Sequence, residues 1–169
     1  MRVGIIGLLL LIVQVLEATV FQVIRIGDVA PNFMIMLIVS FALLRGSKEG
    51  AIIGAAAGLI YDCTFGLAIG PTVFIYAIIG FICGKFNKNF YRENFIIPLI
   101  CTLFSSLLYS VFNMIALILR GQLQFGYYLK SIVIPELIYT IALSLIVYQI
   151  AYMINEKIEK SERKSRNMF

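Results

Sequence analysis

Six apolar runs, at residues 3–24, 30–44, 50–66, 72–84, 95–119 and 131–153, dominate the chain, and only short polar stretches separate them. A helix crossing a ~30 Å hydrocarbon core uses ~20 apolar residues, so six crossings consume ~120 residues. The chain has 169 residues. The ~50 left over are enough for turns and a tail, with no room for a separate soluble domain. Composition agrees, with 61% of residues hydrophobic, 14% charged and a mean hydropathy of +0.96. Soluble domains are about half apolar and about a quarter charged. The expectation is an all-α polytopic membrane protein with six transmembrane helices.

Two runs are short. Residues 72–84 form a helix of only ~20 Å, and residues 30–44 are also under a full span. Burial among longer neighbours or local thinning of the bilayer accommodates such helices. A re-entrant fourth segment is the rival, and charge decides against it. With six crossings and an inside N-terminus, Arg2, Arg45, Lys48, Lys85, Lys88, Arg92, Lys157, Lys160, Arg163, Lys164 and Arg166 face the cytoplasm. Arg25, Arg120 and Lys130 face outward. That bias follows the positive-inside rule, whereas a re-entrant fourth segment exports the five-charge tail. The expected organisation is a six-helix domain over 1–153 and a basic cytoplasmic tail over 154–169, with both termini inside. The first run is too long for a signal peptide, contains Glu17 and ends in no small-x-small cleavage site, so it reads as a retained helix.

Several chemistries fall away. The chain has no His, and its three cysteines, Cys63, Cys83 and Cys101, lack paired spacing. His-based acid–base work and His-ligated metals are excluded, and the cysteines read as small buried hydrophobes. No cofactor or metal is expected. The net charge of +5 is explained by topology and does not signal nucleic acid.

Glycines form the most ordered pattern. Gly46, Gly50, Gly54, Gly58, Gly66 and Gly70 recur at every fourth position, with Asp62 filling the remaining step, and Gly80 and Gly84 repeat the spacing. Each four-residue step advances ~40° around a helix, so the stripe is a slanted groove, and Ala51, Ala55, Ala56 and Ala57 widen it. Such a groove admits another helix closely, within the bundle or from a partner. It is no phosphate loop, because no strand precedes it and no Lys-Ser/Thr follows.

Three acids fall inside spans, and intramembrane acids are functional suspects. At ~1.5 Å per residue, Glu17, Asp62 and Glu136 all lie ~20 Å above the cytoplasmic edge. Arg25 and Arg120 are within reach of that level by snorkelling, and Asn113 adds a polar group on the fifth span. The expectation is an outer-leaflet polar cluster of Glu17, Asp62, Glu136, Arg25, Arg120 and Asn113. No nucleophile–base pair or metal-ligand motif accompanies it, so no enzyme is indicated. In the tail, Glu156–Lys160 and Glu159–Arg163 are i,i+4 pairs that favour a helix continuing out of the sixth span.

From Pro31-Asn32 through Arg45-Gly46, Glu49-Gly50, Gly54, Gly58, Tyr61-Asp62, Gly66 and Ile69-Gly70 to Gly80 and Gly84, the sequence resembles the rod shape-determining protein MreD family. The specific part covers residues 31–84; the other spans match in number, size and hydropathy. The resemblance implies a non-enzymatic bacterial inner-membrane subunit of the cell-elongation machinery. Its implied partners are MreC, MreB, RodA and a penicillin-binding transpeptidase, alongside membrane lipids. It also implies a fold similar to the substrate-binding subunits of energy-coupling-factor transporters. The matching positions are Pro31, Asn32, Arg45, Gly50, Gly54, Gly58 and Asp62, for packing and polar contact. A vitamin-transporter substrate-binding subunit is the second reading. Against it, the first span lacks a small-xxx-small alanine motif, and the outer loops are too short for a lid.

Overall fold

The computed structural model describes residues 2–19, 31–65, 70–89, 96–119 and 133–166. These form six α-helices: α1 (Arg2–Thr19), α2 (Phe33–Arg45), α3 (Ser47–Phe65), α4 (Pro71–Lys85), α5 (Ile96–Leu119) and α6 (Ile134–Arg166). A short 3₁₀ turn, Phe86–Asn89, follows α4. Stretches of α5 (Ile96–Ala116) and α6 (Ile134–Ile158) are long and apolar enough to cross a membrane, while α1, α2 and α4 are shorter apolar helices.

The shortest helix is the centre of the bundle. Ten consecutive residues of α2, Met34 to Leu43, are buried, and α2 touches each of the other five helices. A helix that is apolar all round must be enclosed on every side, which is what FMIMLIVSFALL provides. The outer helices bury one face each. On α1 that face is Ile6, Leu10 and Gln14, whereas Leu8, Leu11, Ile12 and Val15 point outward. On α6 it runs Thr140, Ser144, Tyr148, Ala151, Asn155 and Ile158 at steps of three or four, with Ile138, Ile146, Ile150 and Met153 outside. An outer surface this apolar suits lipid, where packing rather than hydrophobic burial holds helices together.

Helix ends differ from the sequence-based boundaries in three places. Only Gly46 separates α2 from α3. Its φ of 92° makes the reversal alone, and its N–H donates to the Ala42 carbonyl at 2.8 Å. The polar stretch expected to be a loop therefore becomes the last residue of α2 and the first turn of α3, where Glu49 complements the helix N-terminus. Pro31 stands ahead of the N-cap Asn32 and outside the first helical turn. Finally, α6 has 33 residues, or ~50 Å against a ~30 Å hydrocarbon core, so its C-terminal turns extend well beyond a span. The exposed Glu156–Lys160 pair, at 2.7 Å, lies on that extension.

Successive helices run antiparallel, so the polar side chains collect at two opposite ends. The C-terminal turns of α1, α3 and α5 meet the N-terminal turns of α2, α4 and α6 at one end. The start of α1 and the late turns of α6 lie at the other.

Candidate functional site

The first four N–H groups of any helix lack an intrahelical acceptor, and hydrocarbon offers none. A short helix that starts inside an apolar bundle therefore needs acceptors from its neighbours. Both short helices here obtain them from a carboxylate on the preceding helix. Glu17 Oε1, near the end of α1, accepts the Met34 N–H at 3.0 Å, beside the local cap in which Asn32 Oδ1 accepts from Ile35 N–H at 3.0 Å. Asp62 Oδ2, near the end of α3, accepts the Gly70 N–H at 2.8 Å and the Thr72 N–H at 3.3 Å. Pro71, between those two donors, has no N–H to satisfy. A negative group at a helix N-terminus is also favoured by the helix dipole. From α6, Thr140 Oγ1 accepts the Asn32 N–H at 3.4 Å, tying a third helix to the same start.

Beneath these caps lie three tyrosines. The Tyr61 and Tyr76 ring centroids are 6.0 Å apart, Tyr76 and Tyr109 5.3 Å, and Tyr61 and Tyr109 6.5 Å. Asn113 hydrogen-bonds Tyr109, one turn earlier on α5. The Tyr61 hydroxyl lies in the field of Glu17, Asp62 and Glu136 together, and Glu136 lies in the field of Glu17. The structure thus brings Glu17, Asp62, Glu136 and Asn113 to one end of the bundle. Arg25 and Arg120 fall outside the described residues. Glu17 and Asp62 are engaged in holding helix starts, while Glu136 caps no helix among the described residues.

At the opposite end, Arg45 closes α2 by joining two other helices. Its Nε donates to Asn155 Oδ1 on α6 at 2.7 Å, and its Nη1 donates to Glu49 Oε2 on α3 at 3.1 Å. Asn87, in the 3₁₀ turn, donates to the Leu43 carbonyl at 2.5 Å, satisfying one of the acceptors orphaned at the end of α2. The side chain of Arg45 is only 7% exposed, which makes these fixed links and not a surface ion pair.

The glycine ladder divides into two kinds of position. Gly50, Gly54 and Gly58 form a seam against α4. A Cβ there would meet the Gly80 carbonyl oxygen, the Tyr76 carbonyl oxygen and Val73 Cα respectively, all backbone atoms. Gly80 and Gly84 meet the backbone of Gly50 and Ser47 in return. By contrast, Gly46 and Gly70 have φ of 92° and 126° and serve the chain reversals. At Gly70 a Cβ would touch nothing within 4 Å. Gly66 lies outside the described residues.

Sequence reasoning missed Tyr61, Tyr76, Tyr109, Thr140, Asn87 and Asn155. The heptad-like spacing of Thr140, Ser144, Tyr148 and Asn155 was a signal that they share an inward face. The tyrosine cluster had none, since its members come from three helices. Cys63 is exposed, against the expectation of burial, whereas Cys83 and Cys101 are buried and adjoin one another, with Cys83 Sγ also 3.3 Å from Ser105 Oγ. Among the described residues no group of three His, Cys, Asp or Glu could hold a metal ion.

A buried central helix, two short helices capped by carboxylates from their neighbours and a lipid-compatible exterior define a helical membrane-type bundle, with Glu17 and Asp62 fastening helix starts. The family comparison is specific: the model of the rod shape-determining protein MreD matches residues 1–158. The chain belongs to the MreD family, and its role is in rod-shape determination. The rod shape-determining protein MreD of Bacillus subtilis (strain 168) is 26% identical over 119 residues, covering 70% of this chain and 69% of that protein. No solved structure matches the chain.

Proposed function

We propose that the protein is a non-enzymatic, six-span subunit of the bacterial cytoplasmic membrane, with both termini in the cytoplasm. In this reading it scaffolds MreC, MreB, RodA and a penicillin-binding transpeptidase during elongation of the wall. The supporting observation is the polar end of the bundle. Its side chains fix the starts of α2 and α4 in place, which makes a rigid platform. Glu136, half-buried at that end and capping no helix among the described residues, is the acid this reading assigns to a partner contact. The chemistry of a scaffold is recognition, and a rigid surface recognises with the least ordering cost.

Affinity capture of the tagged full chain from bacterial membranes tests the reading. MreC is expected to co-purify. Glu136→Gln is expected to weaken that capture while the melting temperature stays unchanged, by about thirtyfold if the contact is a hot spot of about 2 kcal/mol. Capture of an ATPase coupling module in place of MreC would support the transporter reading and refute this one.

A further inference from the structure

Cys83 on α4 and Cys101 on α5 come from different helices, yet their thiol groups hydrogen-bond each other, and Ser105 Oγ lies 3.3 Å from Cys83 Sγ. Ser105 stands one turn beyond Cys101, so the three groups form one small cluster across the seam between the helices. Both cysteines also line an open groove of about 430 Å³, whose other walls are Ile82, Phe86, Ile97, Ile100 and Phe104. Phe86, Ile100 and Phe104 are exposed on the outside of the bundle. Apart from the two sulfurs, the lining carries no polar or charged side chain. The thiols are thus shut off from ionic reagents and reachable from a hydrocarbon phase.

A pair of adjoining thiols can bind a metal or close to a disulfide. Among the described residues no third His, Cys, Asp or Glu joins these two, whereas a structural metal site takes a larger ligand set. A disulfide needs only the pair. Charge is expensive to bury, so the reaction best matched to this groove has neutral reactants and neutral products. We propose that Cys83 and Cys101 are a reversible redox pair that closes to a disulfide between α4 and α5, with a neutral, lipid-soluble quinone as the oxidant. One S–S bond forms as two S–H bonds break. The two hydrogens, with their electrons, pass to the quinone oxygens and leave a hydroquinone. The thiols are oxidised by two electrons and the quinone is reduced by two. A charged oxidant such as oxidised glutathione must shed its hydration to enter the groove, whereas a quinone ring can pack against the rings of Phe86 and Phe104. The link ties the last turn of α4 to α5, at the opposite end from the start that Asp62 holds. It gives the proposed platform a stiffness that follows the redox state of the membrane, and it rests on the membrane reading only for the route of the oxidant.

The test treats the full chain, reconstituted in phospholipid vesicles, with duroquinone, whose ring positions are all substituted and so resist addition of thiols. Peptide mapping without reduction is expected to show Cys83 joined to Cys101, with a loss of about 2 Da for the departed hydrogens, and dithiothreitol should reverse the link. Oxidised glutathione at the same concentration is expected to modify the exposed Cys63 and to leave Cys83 and Cys101 as thiols. The proposal is overturned if duroquinone leaves the pair reduced, if it joins either cysteine to Cys63 instead, or if glutathione links the pair as readily. All these outcomes are read on the wild-type chain, so none depends on a variant that folds. Failure of the chain to enter the vesicles refutes the membrane reading. The pair is then judged by the same reaction in detergent micelles, where absence of the link overturns the proposal by itself.

Discussion

Replacing Gly58 by alanine is the sharpest test of the packing. An alanine Cβ would stand 2.5 Å from Val73 Cα and 2.7 Å from both the Thr72 carbonyl oxygen and the Val73 nitrogen. Ordinary contact begins at 3.4 Å. The backbone of α4 cannot rotate out of the way as a side chain can, so the helices must part locally by roughly 0.9 Å, the gap between those separations. A gap of about 0.5–1 Å forfeits a quarter to a half of the dispersion energy of each contact it opens. Overpacking of this kind costs about 1–3 kcal/mol. Alanine recovers about 1 kcal/mol as the better helix former, leaving a net destabilisation of up to about 2 kcal/mol. The same displacement draws the Thr72 N–H, already 3.3 Å from Asp62, beyond hydrogen-bonding reach. Equilibrium unfolding in mixed micelles reads the difference. Gly7→Ala is the internal control, because nothing lies within 4 Å of its new Cβ. It should keep the gain in helix propensity and come out neutral to about 1 kcal/mol more stable. If Gly58→Ala matched or exceeded the stability of Gly7→Ala, the close approach of α3 and α4 would be wrong.

Three further outcomes follow from the polar links. Asp62→Ala orphans the Gly70 and Thr72 N–H groups and should cost about 1–3 kcal/mol, whereas Asp62→Asn keeps an acceptor and should cost less; rod shape in a complementation assay and melting temperature are the readouts, and an unchanged pair for Asp62→Ala would refute the capping role. Arg45→Lys keeps the charge but cannot span Asn155 and Glu49 with one planar fork, so it should destabilise by about 1–3 kcal/mol in the same unfolding assay. Lys160→Ala removes an exposed i,i+4 pair and should change stability by less than about 0.5 kcal/mol, with a larger loss pointing to a docked position for the C-terminal end of α6.

Legibility followed the range of the interactions involved. The existence of α2, α4, α5 and α6 and the seam of Gly50, Gly54 and Gly58 were visible because hydropathy and small-residue spacing are local patterns. The gathering of Glu17, Asp62 and Glu136 toward one end of the bundle was accessible to counting residues along helices of known rise. Their division of labour was not. Whether a carboxylate caps a helix or is free for a partner depends on which N–H groups approach it. For Asp62 those groups are 8 and 10 residues away, and for Glu17 the donor is 17 residues away. Gly46 and Gly70 share the register of the seam, yet their positive φ values assign them to turns, a property that spacing alone does not carry.

The sequence by itself determined the solvent and the building blocks: apolar runs of helical length, short connections, a basic bias at alternate connections and a MreD-like motif from Pro31 to Gly84. These are sums over neighbouring residues, and they survive without any knowledge of the fold. Only the tertiary structure decided that the 13-residue α2 is the buried centre, and that Glu17 and Asp62 serve as caps for the helices beside them. Only it set Arg45 as a clasp between α3 and α6. The physical reason is that a buried polar group must find its partner wherever packing brings one. For Arg45 and Asn155 that partner lies 110 residues along the chain.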